Sequence, residues 1–164
     1  MTDKILKNNK GLTIVEVLVA CLVISITIFS LIFAASKGIE LSYNAIDQTQ
    51  SSYLLEEGIE AIKLIRDDDW NNINILISDE STKYYLFWNG GINKWELNTT
   101  PSLINGIFTR EVIFGDVYRN DDDDIASSGT LDQDIKKVTV KVSFNSPSGV
   151  NENAISFYIA NIFN

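Results

Sequence analysis

The chain contains no histidine, one cysteine and two prolines, and each shortage closes off a class of explanation. Without histidine, the commonest general base and the commonest metal ligand are both missing. A single cysteine, Cys21, rules out any intramolecular disulfide, so an exported domain has to be held by packing or by assembly. Both prolines fall late, the first at Pro101, and between Leu12 and about Arg66 nothing breaks a helix more strongly than Gly38 and Gly58. There is no nucleophile elbow and no phosphate-cradling glycine loop, while paired carboxylates are too common here to single out a catalytic couple. We therefore expect that this chain is not an enzyme and carries no cofactor.

Apolar residues are plentiful, at 45% of 164, which is enough for the core of one ordinary domain, but they are unevenly spread. Val17 to Ala35 is a run of 19 residues without a charge, and it lengthens to 24 if it begins at Leu12 and tolerates Glu16. As a helix the longer run spans about 36 Å, against roughly 30 Å for a hydrocarbon core. A cleaved secretory signal is the alternative, with Ala34, Ala35 and Ser36 as a weak small-residue cleavage site. Such signals have an apolar stretch of only about 7 to 15 residues and no glutamate, so the run reads as a retained membrane helix.

Lys4, Lys7 and Lys10 precede the run against Asp3 alone, which keeps the N-terminal flank in the cytoplasm and exports everything after Ser36. The exported part has ten Lys and Arg against 20 Asp and Glu, a net charge of −10. A surface of that sign repels polyanions, so direct binding of nucleic acid is not expected.

Beyond Ala35 the pattern becomes one-sided. Ile39, Tyr43, Ile46, Tyr53, Leu54, Ala61, Ile62 and Ile65 recur at helical spacing, with Glu40, Asp47, Gln48, Glu56, Glu57 and Glu60 between them. Asp67, Asp68 and Asp69 would place three negative charges at the negative end of a helix dipole, so the helix should stop near Arg66. Strand signals follow. Tyr84 to Trp88 and Ile92 to Leu97 flank Asn89, Gly90 and Gly91, residues that tolerate positive φ in a hairpin. Phe108 to Tyr118 is a third β-rich run, Val138, Val140, Val142 and Phe144 alternate with polar residues, and Ile155, Phe157 and Ile159 repeat that alternation. The expected fold is α+β: a long N-terminal helix packed on a four- to five-stranded antiparallel sheet.

Lys10, Gly11, Leu12, Thr13, Ile14, Val15 and Glu16, followed at once by the apolar run, resemble the processing site of type IV prepilins and type II secretion pseudopilins. The resemblance covers Lys10 to roughly Ala35. It implies a pilin-like fold and a leader cut by a prepilin peptidase between Gly11 and Leu12, with N-methylation of the new Leu12 amine. It further implies that Glu16, with Thr13, serves filament assembly, the carboxylate neutralising the N-terminal amine of a neighbouring subunit. The residue types suit this chemistry, because a flexible glycine lets the backbone enter a protease cleft and the lysines hold the leader in the cytoplasm. An ionisable residue in a membrane segment also asks for a partner; the alternative for Glu16 is a carboxylate that snorkels to interfacial water without a role. Leu55 to Arg66, followed by Trp70, is similar to the end of the long helix in PilV-like minor pilins, although an ordinary amphipathic helix explains most of the same residues.

Leucine in place of phenylalanine or methionine at the first mature position departs from well-known pilins. So do the missing mid-helix proline and C-terminal disulfide. All three lean toward a minor pilin or pseudopilin, or toward a lineage outside the best-studied ones. The expected organisation is a cytoplasmic leader over 1–11, a transmembrane and filament-core helix over 12–35, an amphipathic continuation over 36–66 and a sheet domain over 67–164. The expected location is a single pass through the cytoplasmic (inner) membrane, N-terminus inside, then a cell-surface or periplasmic filament. Implied partners are other pilin subunits, the prepilin peptidase, an inner-membrane platform protein and an assembly ATPase. Two rival readings stand beside this one: a pseudopilin of type II secretion or DNA uptake, and a membrane-tethered extracytoplasmic binding module. Asp121 to Asp124, with Asp132 and Asp134 nearby, offer oxygen ligands of the kind calcium prefers, but they lack the alternation and turn glycine of an EF-hand. A solvated turn is the expectation there.

Overall fold

In the computed structural model, which describes residues 13–79, 81–147 and 149–163, helix α1 (Ile14–Asp68) runs unbroken for 55 residues. The absence of proline before Pro101 permits this, and the two helical glycines, Gly38 and Gly58, are too far apart to break it. Contacts divide the chain into two units, Met1–Tyr43 and Asn44–Asn164. Every described residue of the first unit from Ile14 is helical, and its large apolar side chains are exposed.

The second unit packs the remainder of α1, with a four-residue helix α2 (Asn71–Asn74), on an antiparallel sheet. Its strands are β1 (Tyr84–Asn89), β2 (Lys94–Asn98), β3 (Leu103–Ile104), β4 (Phe108–Arg119), β5 (Ile125–Ala126), β6 (Thr130–Ser146) and β7 (Gly149–Ala160). Five of them form the path β2-β1-β4-β6-β7, and the short β3 and β5 join β4 on the edge it shares with β1. The α+β class and the helix-on-sheet arrangement are those expected. The sheet has seven strands rather than four or five, because two-residue pairings such as Leu103↔Thr109 leave too short a pattern to read in a sequence.

The core lies between helix and sheet. Ser51, Leu55, Gly58, Ala61, Ile62 and Ile65 are buried at positions i, i+4, i+7, i+10, i+11 and i+14 along α1, which is one helical face. Opposite them stand Phe108, Val112 and Phe114 of β4 and Val138, Val140, Val142 and Phe144 of β6, each at most 2% exposed. Phe108 and Phe144 are direct cross-strand neighbours and pack edge to face with ring centroids 5.4 Å apart.

The expected buried face of α1 is only partly the observed one. Ala61, Ile62 and Ile65 are buried and Leu54 is half-buried, but Ile39, Tyr43, Ile46 and Tyr53 are exposed. At about 100° per residue, Tyr53 sits roughly 200° from Ser51 and cannot share its face. Ile155 is also exposed while Ile159 is buried, since β7 is the free edge of the sheet. The helix end runs two residues past Arg66: Arg66 pairs with Asp67 at 2.7 Å and Lys94 pairs with Asp68, so cations offset the terminal acids. In the β1–β2 hairpin, Asn89 faces Lys94 across a four-residue loop whose left-handed position is Asn93 (φ 53°), not a glycine.

Candidate assembly site

Gly11 and Leu12, the expected cleavage and methylation positions, lie outside the described residues. Thr13 and Glu16 are described, and they form a reciprocal helix cap. The Thr13 backbone N–H donates to Glu16 Oε2 at 3.1 Å and its hydroxyl donates to the same oxygen at 3.2 Å, while the Glu16 N–H donates back to Thr13 Oγ1 at 3.4 Å. This is the S/T-x-x-E capping box at the start of α1. The four-residue signature was legible in Thr13-Ile14-Val15-Glu16, just ahead of an apolar run. Oε1 of Glu16 has no hydrogen-bond partner among the described residues.

After the cap, α1 is long and apolar enough to cross a membrane. Its few polar side chains are satisfied within the helix. Ser25 donates to the Cys21 carbonyl at 2.8 Å, Thr27 to that of Ile24 at 2.7 Å and Ser30 to that of Ile26 at 2.9 Å. Each bond removes a hydroxyl that would otherwise be costly in lipid.

Two polar latches tie the second part of α1 to the sheet. Arg110 lies on the core face of β4 between Phe108 and Val112, and its Nη1 donates to Glu57 Oε2 at 2.6 Å and to the Leu54 carbonyl at 3.1 Å. Its guanidinium carbon sits 5.3 Å from the centre of the Trp95 ring. Farther toward the N-terminus, the Gln48 amide donates to Asn153 Oδ1 at 3.0 Å, and Asn153 Nδ2 donates to the buried Ser51 hydroxyl at 2.8 Å. Sequence reading missed both. The period-two alternation that places Phe108 and Val112 inward also places Arg110 inward, and this was the available signal.

A second cation is buried at the other end of the sheet. Lys136 donates to Asp116 Oδ1 at 2.8 Å and to Ser78 Oγ at 2.9 Å, and the lysine's hydrogen bond holds the Asp116 carboxyl below its usual range. Nearby, Arg119 donates to Asp132 Oδ2 at 2.6 Å and lowers that carboxyl likewise. The Asp121–Asp124 stretch is a turn organised by Asn120, whose Oδ1 accepts the N–H groups of Asp122 at 3.1 Å and Asp124 at 2.8 Å. Among the described residues no group of three or more His, Cys, Asp or Glu is arranged to hold a metal ion.

A cleft of about 340 Å³ opens where the C-terminal end of α1 meets the β1–β2 hairpin. Leu64 and Ile65 line it from the helix, Trp88 and Trp95 from the hairpin, and Asn72 and Asn93 lie at its edge. The two indoles meet edge to face at 5.5 Å and 69°. No family model, no curated protein and no solved structure matches this chain.

Proposed function

We propose that the chain is a structural subunit, of the minor-pilin kind, of a type IV pilus or a related filament. A prepilin peptidase removes residues 1–11 after Gly11, Leu12 becomes the methylated N-terminus, and the apolar helices leave the bilayer sideways to pack against one another. The partner ATPase and platform protein do the work, and this chain supplies shape, register and surface. The observation that carries the reading is the helix from Ile14 to Phe33, whose large apolar side chains have no cover from their own chain. Lipid covers them before assembly and neighbouring helices cover them after it.

Glu16 adds a second support. A simple tether needs no carboxylate at the head of its apolar run, where charge costs on the order of 2.5 to 3.5 kcal/mol at the bilayer centre and less near the interface. Oε2 is engaged in the helix cap, and Oε1 remains for the Leu12 amine of a neighbour. The test is the intact mass of the full chain extracted from cells with an active prepilin peptidase. Loss of residues 1–11, with one added methyl, is expected, and an unprocessed N-terminus overturns the reading. The rival, a membrane-tethered binding module, draws on the cleft beside Trp88 and predicts that unprocessed mass.

A further inference from the structure

We infer that the cleft between the end of α1 and the β1–β2 hairpin is a binding site for a neutral saccharide. Trp88 is 52% exposed, so its indole is open to a ligand. It is not loosely placed, because its edge-to-face contact with Trp95 is backed by the Arg110 guanidinium over the Trp95 ring. The aromatic wall therefore exists before any ligand arrives, which lowers the ordering cost of binding.

Charge decides the class of ligand. The two carboxylates at the cleft, Asp67 and Asp68, already have cations in Arg66 and Lys94. What remains unpaired among the described residues are the side-chain amides of Asn72 and Asn93, each offering both donors and an acceptor, and the indole N–H donors of Trp88 and Trp95. An ionic ligand would find no free countercharge, and an anion would also meet the −10 charge of residues 36–164. A wholly apolar ligand would use neither amide, and both would stay solvated at their exposed positions. A pyranose ring satisfies both demands, since its C–H face covers an indole and its hydroxyl rim both donates to and accepts from amides. The volume lies at the small end of the roughly 300 to 1,000 Å³ usual for ligand sites, room for on the order of one or two sugar rings.

The inference is independent of leader processing and of filament assembly, so it can fail or stand without them. The test uses the full chain in lipid nanodiscs, because the headgroup of a maltoside detergent is itself a probe of the class in question. Cellobiose, maltose, lactose, mannobiose and diacetylchitobiose are titrated, with tryptophan fluorescence and saturation-transfer NMR as readouts. Saturable binding of at least one, with Kd on the order of 1 mM, is expected. Trp88→Ala should abolish it, and Asn72→Ala, at an exposed position with no packing role, should weaken it about fivefold through one lost hydrogen bond. Sialyllactose should bind more weakly than lactose. No saturable response from any of the five neutral sugars, or an unchanged response in both variants, overturns the assignment. Saturable binding of a tryptic peptide pool without sugar binding overturns it in favour of a peptide groove.

Discussion

Glu16 Oε2 lies 3.1 Å from the backbone nitrogen of Thr13, so the acid at the head of the apolar helix is also half of that helix's cap. If the carboxylate also serves assembly as proposed, its shape and its charge have separate jobs, and two substitutions separate them. Glu16→Gln keeps an oxygen that can accept the Thr13 N–H, since glutamine serves in a capping box as glutamate does. It removes the charge. We expect normal membrane insertion and leader removal for Glu16→Gln, with incorporation into filaments reduced on the order of tenfold or more, as for loss of one member of a desolvated ion pair. Glu16→Ala should add a frayed first turn to the same defect. The readout is the subunit's share of the sheared-filament fraction; wild-type incorporation of the glutamine variant would remove the role of the charge.

Gly58 lies where α1 comes close to the sheet. A Cβ there would lie 2.9 Å from Val140 Cγ1 and 3.1 Å from Arg110 Cδ. Alanine would gain about 1 kcal/mol of helix propensity. Against this, overpacking a filled core costs typically about 1 to 3 kcal/mol, and Val140 is β-branched and fully buried, with little room to turn. Gly58→Ala should therefore lower the thermal midpoint by a few degrees, and Gly58→Val by clearly more. A rise in midpoint for the alanine variant would show that the helix can lift off the sheet at little cost.

The same glycine shows where sequence reading stopped. From the sequence, Gly58 was only a weak point in a helix; a close approach is a property of the opposite surface, and a single sequence does not say which surface that is. The strands were legible because Val138, Val140, Val142 and Phe144 repeat the pleat, and all four are buried. The helix was legible because nothing breaks it. Its buried face was not: an acidic helix with apolar residues all round can be fitted by more than one stripe, and Ser51 and Gly58 carry no apolar signal. At the candidate assembly site, Thr13-Ile14-Val15-Glu16 carries the capping-box signature, but sequence reading used Glu16 only as a membrane carboxylate and passed over its bonds to Thr13.

Acid should loosen the end of the sheet held by Lys136. The Asp116 carboxyl is held below its usual value by the lysine's hydrogen bond, so the folded state takes up a proton less readily than the unfolded one. Stability from this pair is complete above the ordinary aspartate value of about 3.9 and is lost as the pH falls through the lower folded-state value. Asp132, held down by Arg119, acts in the same direction and the same window. Thermal midpoints of the full chain should thus fall steeply below about pH 4, and Asp116→Asn should flatten that fall while lowering the midpoint at neutral pH. An unchanged acid slope in the variant would mean that other carboxylates govern it.

Arg110 tests whether a buried charge in this fold stabilises it or merely fills it. The side chain is 3% exposed, its partner Glu57 is 49% exposed, and its Nε has no hydrogen-bond partner among the described residues. A half-exposed carboxylate is screened by water, so the pair recovers only part of the cost of burying the guanidinium. Arg110→Met keeps an aliphatic stem against Gly58 and releases Glu57 to solvent, and should change stability by no more than about 1 kcal/mol. Arg110→Ala empties the same space, exposing one side of Trp95, and should cost roughly 2 to 4 kcal/mol. Glu57→Ala leaves the buried cation with the Leu54 carbonyl and the Trp95 ring, and should fall between the two. Denaturant titration followed by tryptophan fluorescence ranks the three. If methionine costs as much as alanine, the charge rather than the stem holds helix and sheet together, and the latch between Arg110 and Glu57 is a stabilising one.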